Sequence, residues 1–275
     1  MGKQQTLNLQ AACMQLCTTD DVTQNLRHIT QLLAEHAQTI DVLLLPENAT
    51  LITADNKLKH HHAQPSEYKK ILHHFSQLAK THQLWLIAGS LLIQDERNPD
   101  KYFNHNPVFS PDGTLVSAYN KIHLFDVDLG SESWQESAHI SAGNSPETVT
   151  LNQDWKVGLS ICYDLRFPEL YRQYSQQGCN ILSIPAAFTV PTGKAHWDTL
   201  LKARAIENQA YVLAAGQVGH HADGRQTYGH SQIINPWGET LASQSQREGM
   251  IFASLETRFL QDLKRRMPVL QHRKL

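Results

Sequence analysis

The sequence predicts an α/β fold with a mixed sheet, or two sheets, covered by helices. Short apolar runs of strand length alternate with segments whose apolar residues recur at helical spacing. A hairpin around the strong turn Ser110-Pro-Asp-Gly113 interrupts that alternation, which a purely parallel sheet would not contain. No linker, repeat or low-complexity block divides the 275 residues. One domain over 1–275 is the simplest organisation.

The elements follow in chain order. Residues 7–14 alternate apolar and polar like a strand. Residues 20–36 place Val22, Leu26, Ile29, Leu32 and Leu33 on one helical face. Residues 41–46 are a buried strand ended by Pro46, and 66–82 a helix with Tyr68, Ile71, Leu72, Phe75 and Leu78 facing inward. One strand is expected over 84–93. The hairpin strands are 102–110 and 114–121, followed by strands 148–151 and 155–161. A helix over 169–177 stops at Gly178, the strand 181–185 follows, and a helix over 197–208 leads into strand 211–216. Two late strands, 231–235 and 250–254, flank Pro236-Trp-Gly238, and a basic helix over 259–266 closes the chain.

Hydrophobic residues make up 41% and charged residues 18%, a globular balance that can fill a large core. The formal net charge of −2 offers no broad cationic face, so no nucleic-acid partner is expected. No apolar run reaches the length of a bilayer span, so no membrane partner is expected. Without a secretory signal pattern, Cys13, Cys17, Cys162 and Cys179 read as reduced thiols of a cytoplasmic protein. Cys13 and Cys17 lack further ligands at zinc spacing. The sixteen histidines include the run His60-His61-His62, expected in a solvated loop. No metal and no cofactor are expected.

Three chemically active residues stand at strand ends. Glu47 follows Leu43-Leu-Leu-Pro46, Lys121 follows the second hairpin strand, and Cys162 ends the run Val157-Gly-Leu-Ser-Ile161. In open α/β sheets ligands bind beyond the carboxyl ends of strands. Taken singly, each has a plain reading: a helix cap, a solvated lysine, a core thiol. Together they are complementary. A carboxylate can take a thiol proton, and a cation can steady the charge that develops on a tetrahedral intermediate. Partial burial is expected to raise the Glu47 pKa, and a helix start just after Cys162 to lower that of the thiol.

The segments Leu44-Leu-Pro-Glu-Asn48, Tyr119-Asn-Lys-Ile-His-Leu-Phe-Asp126 and Gly158-Leu-Ser-Ile-Cys-Tyr-Asp-Leu-Arg-Phe-Pro-Glu169 resemble the three signature blocks of the nitrilase, or carbon–nitrogen hydrolase, superfamily. The resemblance runs from about residue 7 to the C-terminus. It implies a four-layer α-β-β-α sandwich, usually paired into a homodimer. It also implies Glu47 as general base, Lys121 as stabiliser of the tetrahedral intermediate and Cys162 as nucleophile. Gln135-Glu-Ser137 matches a segment that supplies a second glutamate, here Glu136, with Glu132 as a competitor. The Tyr163 backbone N–H is the implied oxyanion donor.

Residues 185–197 and 214–221, with Ala186-Ala187 and the ending Met267-Pro-Val-Leu-Gln-His-Arg273, are similar to the branch of amidases acting on deaminated glutathione and 2-oxoglutaramate. The implied substrate is an anionic small-molecule 2-oxo acid amide. The favoured reading is deaminated glutathione cleaved to 2-oxoglutarate and cysteinylglycine. The alternatives are 2-oxoglutaramate as substrate, or a binding protein with a dead site. Arg166, Lys194, Arg204 and Arg225 are candidate cations for the substrate. Arg166 could instead pair with Asp164 or Glu169, and Arg204 with Glu207. Phe188, Thr192 and His196 are candidates for the acyl-pocket wall, and Trp197 for helix packing.

Overall fold

In a computed structural model, the structure describes residues 8–36, 40–128, 130 and 133–274. In order, the elements are β1 (Leu9–Gln15), α1 (Val22–Ala34), β2 (Val42–Leu44), α2 (Asn56–Ala63), α3 (Pro65–His82), β3 (Trp85–Ile87), β4 (Leu91–Gln94), β5 (Tyr102–Phe109) and β6 (Leu115–Asn120). Then come β7 (Asp126–Asp128), β8 (Ser133–Gln135), β9 (Thr148–Thr150), β10 (Lys156–Leu159), α4 (Pro168–Gln176), β11 (Ile181–Ala186), α5 (Val190–Asn208) and β12 (Tyr211–Gly216). The last are β13 (Val218–His220), β14 (Gln226–Tyr228), β15 (Gln232–Ile234), β16 (Thr240–Ser243), β17 (Gly249–Leu255) and α6 (Thr257–Arg266).

Two mixed sheets form the centre. The first runs β17-β1-β2-β3-β5-β4, with β6 also on β5, and the second runs β16-β15-β12-β11-β10-β9. Each has three parallel strands at its middle, β1-β2-β3 and β10-β11-β12. The two-residue period of a strand sorts the side chains between layers. Ala11, Cys13, Val42, Leu44 and Ile87 face the second sheet. Ala12, Met14, Leu43 and Leu86 face Ile29, Leu33, Phe75 and Leu78 of α1 and α3. On the far side, Leu170, Tyr171, Trp197 and Leu201 of α4 and α5 cover the second sheet. The layers are therefore α-β-β-α. The sheets meet where β1 and β12 end, through a parallel bridge between Leu16 and Gln217.

Four expectations need correction. The segment 84–93 is two strands, not one, because Gly89 turns the chain at φ +73°. A Cβ there would lie 2.0 Å from the Pro46 carbonyl oxygen, so only glycine lets this turn cross the chain just before Glu47. His60, His61 and His62 sit on α2, capped by Asp55, whose side chain accepts from the Lys57 N–H at 2.7 Å. That helix buries only Ala63, so its sequence carries no apolar stripe to read. Helix α5 begins at Val190 rather than 197, with Pro191 in the first turn, where its missing N–H costs nothing. Finally, the short pairs β7-β8 and β13-β14, together with β16, lack the apolar runs that mark a buried strand.

Replacing Gly89 with Ala forces both a left-handed backbone and a backbone clash. Thermal or urea unfolding should show a loss of about 2 kcal/mol or more.

Candidate active site

Three strand ends meet in one cavity of about 260 Å³. Glu47 follows β2, Lys121 follows β6, and Cys162 follows β10. All three are nearly inaccessible, with Lys121 at 2% exposure. Lys121 Nζ donates to Glu47 Oε1 at 3.0 Å and to both oxygens of Glu136, at 3.0 and 2.9 Å. Glu47 also accepts from Asn104 Nδ2 at 2.8 Å and from the Ala187 N–H at 2.8 Å. Its carboxylate lines the same cavity as the Cys162 thiol, close enough for each to shift the other's ionisation. Glu136 is held by the Phe125 N–H at 2.7 Å. A buried ammonium survives only when its donors are satisfied in this way.

Cys162 adopts φ +51°, a left-handed conformation uncommon outside glycine. It opens a 3-10 turn over Cys162–Arg166. Asp164, wholly buried, pins that turn. Its Oδ2 accepts from the Ile161 N–H at 2.8 Å and from Tyr119 Oη at 2.7 Å. Its Oδ1 accepts from the His123 N–H at 3.0 Å and lies 2.7 Å from His123 Nδ1. Tyr119 and His123 flank Lys121, so one carboxylate ties the thiol's turn to the lysine's segment. The Tyr163 N–H is the second of the 3-10 turn, a position with no preceding carbonyl inside the turn to bond.

The carbon-nitrogen hydrolase family profile matches residues 10–265. This chain belongs to the carbon-nitrogen hydrolase family. It is 39% identical to the deaminated glutathione amidase of Synechocystis sp. PCC 6803, over 96% of this chain and 97% of that one. It is also 39% identical to that of Homo sapiens, over 98% and 83%. The crystal structure of the C. elegans NitFhit protein superposes with a TM-score of 0.90 at 35% identity, covering 98% of this chain and 66% of that one. Saccharomyces cerevisiae Nit3 superposes at 0.85 and 26% identity, covering 98% and 97%.

In this carbon-nitrogen hydrolase the charges sit differently from the expectation. Burial pushes the Glu47 carboxyl up, but the Lys121 charge and the hydrogen bonds it accepts override that and hold it below its usual value. The Cys162 thiol is pushed well up by burial and by Glu47, against the opposing pull of Lys121. Burial disfavours the Lys121 ammonium, yet Glu136 and Glu47 hold its pKa well above the usual value. The resting site therefore carries a thiol beside a carboxylate, not a preformed thiolate. Burial, and then the neighbouring carboxylate, outweigh the helix start that a strand-end cysteine leads one to expect.

Arg166, Phe188 and Thr192 line the cavity, as do Arg225, Lys59 and Trp134. Arg166 lies over the Tyr163 and Phe188 rings, and its Nη1 is 3.1 Å from His196 Nδ1. The Asp164 carboxylate is already occupied, so Arg166 does not pair with it. His196 touches the site only through Arg166, and Lys194 is exposed outside the cavity lining. The early start of α5 turns both outward. Arg204 pairs with Glu207 at 2.8 Å and donates to the Leu165 carbonyl at 3.0 and 2.7 Å. It braces the 3-10 turn from behind. Trp197 is buried in the core. Glu132 lies outside the described residues.

Sequence reasoning missed Asn104 and Lys59. Asn104 left a signal, a polar residue on the inward-facing side of a strand. Lys59 left none, since it sits in a helix with no apolar pattern. Among the described residues, His61, His62 and Glu67 bring possible metal-ligating atoms within 4.8 Å of one another, and Glu67 already pairs with Lys70 at 2.6 Å.

Lys121→Ala would leave two carboxylates facing each other without their cation. Urea unfolding at neutral pH should show a loss of about 3–5 kcal/mol. The lowered Glu47 pKa adds stability that is present above the ordinary carboxyl value of 4.5 and lost as pH falls below it. The raised Lys121 pKa adds stability that is full below 10.5 and lost only well above that value. Unfolding free energy measured against pH should therefore fall on the acid side, and Glu47→Gln should flatten that fall.

Proposed function

We propose that the protein is an amidase that cleaves deaminated glutathione to 2-oxoglutarate and cysteinylglycine through a thioester on Cys162. The observation that carries this is Glu47, bonded to Lys121 and lining the same small-molecule cavity as the Cys162 thiol. The near full-length likeness to deaminated glutathione amidases supports the choice of substrate.

The Cys162 sulfur attacks the amide carbon while Glu47 takes the thiol proton. A carboxyl held below its usual value is ionised and ready to accept that proton. The carbonyl oxygen becomes an oxyanion, stabilised by the Lys121 ammonium and the Tyr163 N–H. Glu47 then passes its proton to the departing nitrogen, the carbon–nitrogen bond breaks, and the thioester remains. Water attacks the thioester as Glu47 takes its proton. The tetrahedral species collapses to the free acid, and the proton returns to sulfur. Glu136 keeps Lys121 aimed at the oxyanion. Arg166, beside the Phe188 wall, takes the 2-oxo acid carboxylate.

Cys162→Ala should lower turnover of deaminated glutathione by about a thousandfold or more with the fold intact. Steady-state assay beside circular dichroism checks this, and retained turnover would sink the proposal.

The catalytic chain is read as a single domain that pairs into a homodimer. Ile206 and Trp237 support an interface, since both are large, apolar and exposed, and Gly238 packs the Trp237 turn against Ile206. Sedimentation velocity should give a dimer, and Trp237→Ser should shift it toward monomer.

A further inference from the structure

We infer that Lys59 and Arg225 form an anion subsite at the leaving-group end of the cavity, built for amides whose departing amine ends in a carboxylate. The inference rests on the amidase reading above and adds a part of the substrate that the catalytic residues do not touch.

The cavity is lined by cations beyond Lys121, and they come from unrelated elements: Arg166 from the Cys162 turn, Lys59 from α2 and Arg225 from the β13–β14 turn. A row of aromatic rings joins Arg225 to Arg166. Arg225 lies 5.1 Å from the Trp134 ring centre, Trp134 stands 6.4 Å from Phe125, Phe125 stands 5.1 Å from Tyr163, and Arg166 lies 5.6 Å from Tyr163. All three rings line the cavity. The wall thus carries a cation at each end, with Cys162 next to the Tyr163 end. A substrate with one carboxylate on its acyl part and one on its leaving group matches that order. In deaminated glutathione the leaving cysteinylglycine spans about 7 Å from the cleaved nitrogen to its carboxylate when extended.

Lys59 and Arg225 are both partly buried, and burial and then Arg225 lower the Lys59 pKa, against the weaker opposing pull of Asp223 and Asp55. Arg225 is anchored through Nε to Asp223 Oδ2 at 2.5 Å. A guanidinium has five donors, so this anchor leaves its terminal nitrogens for a ligand. Lys59 Nζ donates to Asn56 Oδ1 of its own helix at 3.4 Å, a long bond. An anion bridging the two cations would remove the repulsion and gain charge-assisted hydrogen bonds.

Three amides of 2-oxoglutarate test this with the full-length protein: 2-oxoglutaramate, deaminated glutathione, and deaminated glutathione with its terminal carboxyl capped as an amide. The wild type should favour the free acid over the capped form by about tenfold or more in kcat/KM, chiefly through KM. Lys59→Gln and Arg225→Gln should each reduce that acid-over-capped ratio toward one. If the wild type cleaves free and capped forms equally, or the ratio survives both substitutions, the subsite is wrong and the amidase reading stands. If the wild type cleaves 2-oxoglutaramate and neither peptide, the deaminated-glutathione reading fails and the subsite falls with it.

Discussion

A fully desolvated lysine governs this molecule. Lys121 carries its ammonium between two carboxylates in the interior, and no part of that cluster is stable without the others. The carboxylates in turn recruit Asn104, the Ala187 N–H and the Phe125 N–H. These donors come from both sheets and from the loops between them. The site is therefore a joint rather than a decoration on one sheet, and its polar groups join the two halves of the sandwich at the end where the apolar core stops.

The same joint explains the state of the thiol. Its surroundings favour the neutral form, while the adjacent carboxylate is held ready to accept a proton. The lysine ammonium is already fixed beside them, held between two carboxylates. Preorganisation of this kind requires fixed geometry. Asp164 supplies it, by holding both the left-handed turn at Cys162 and the segments on either side of Lys121.

Much of this was legible in the sequence. Period-two and helical patterns mark nearly every element of the layered core, because core burial is what those patterns record. Glu47, Lys121 and Cys162 stood out because each directly follows an apolar strand. What stayed hidden has no such signature. Helix α2 buries one residue, so neither it nor Lys59 could be placed. Helix α5 starts at Val190, before the expected 197, because proline suits a first turn and Gly193 admits the Tyr228 ring. The direction of the Glu47 and Cys162 pKa shifts was misread because it depends on distances between strand ends far apart in the chain.

One pairing bears on how such a protein is made. Strand β1, against which β2 and hence Glu47 are laid, is completed on its other side by β17, with Leu9 opposite Leu255. During synthesis that edge stays open until residues 249–255 have left the ribosome. Contacts of such long sequence separation form late and slowly. Until then β1 waits with an uncovered edge, a hazard for mispairing, and the strand that leads to Glu47 is laid on an unfinished sheet.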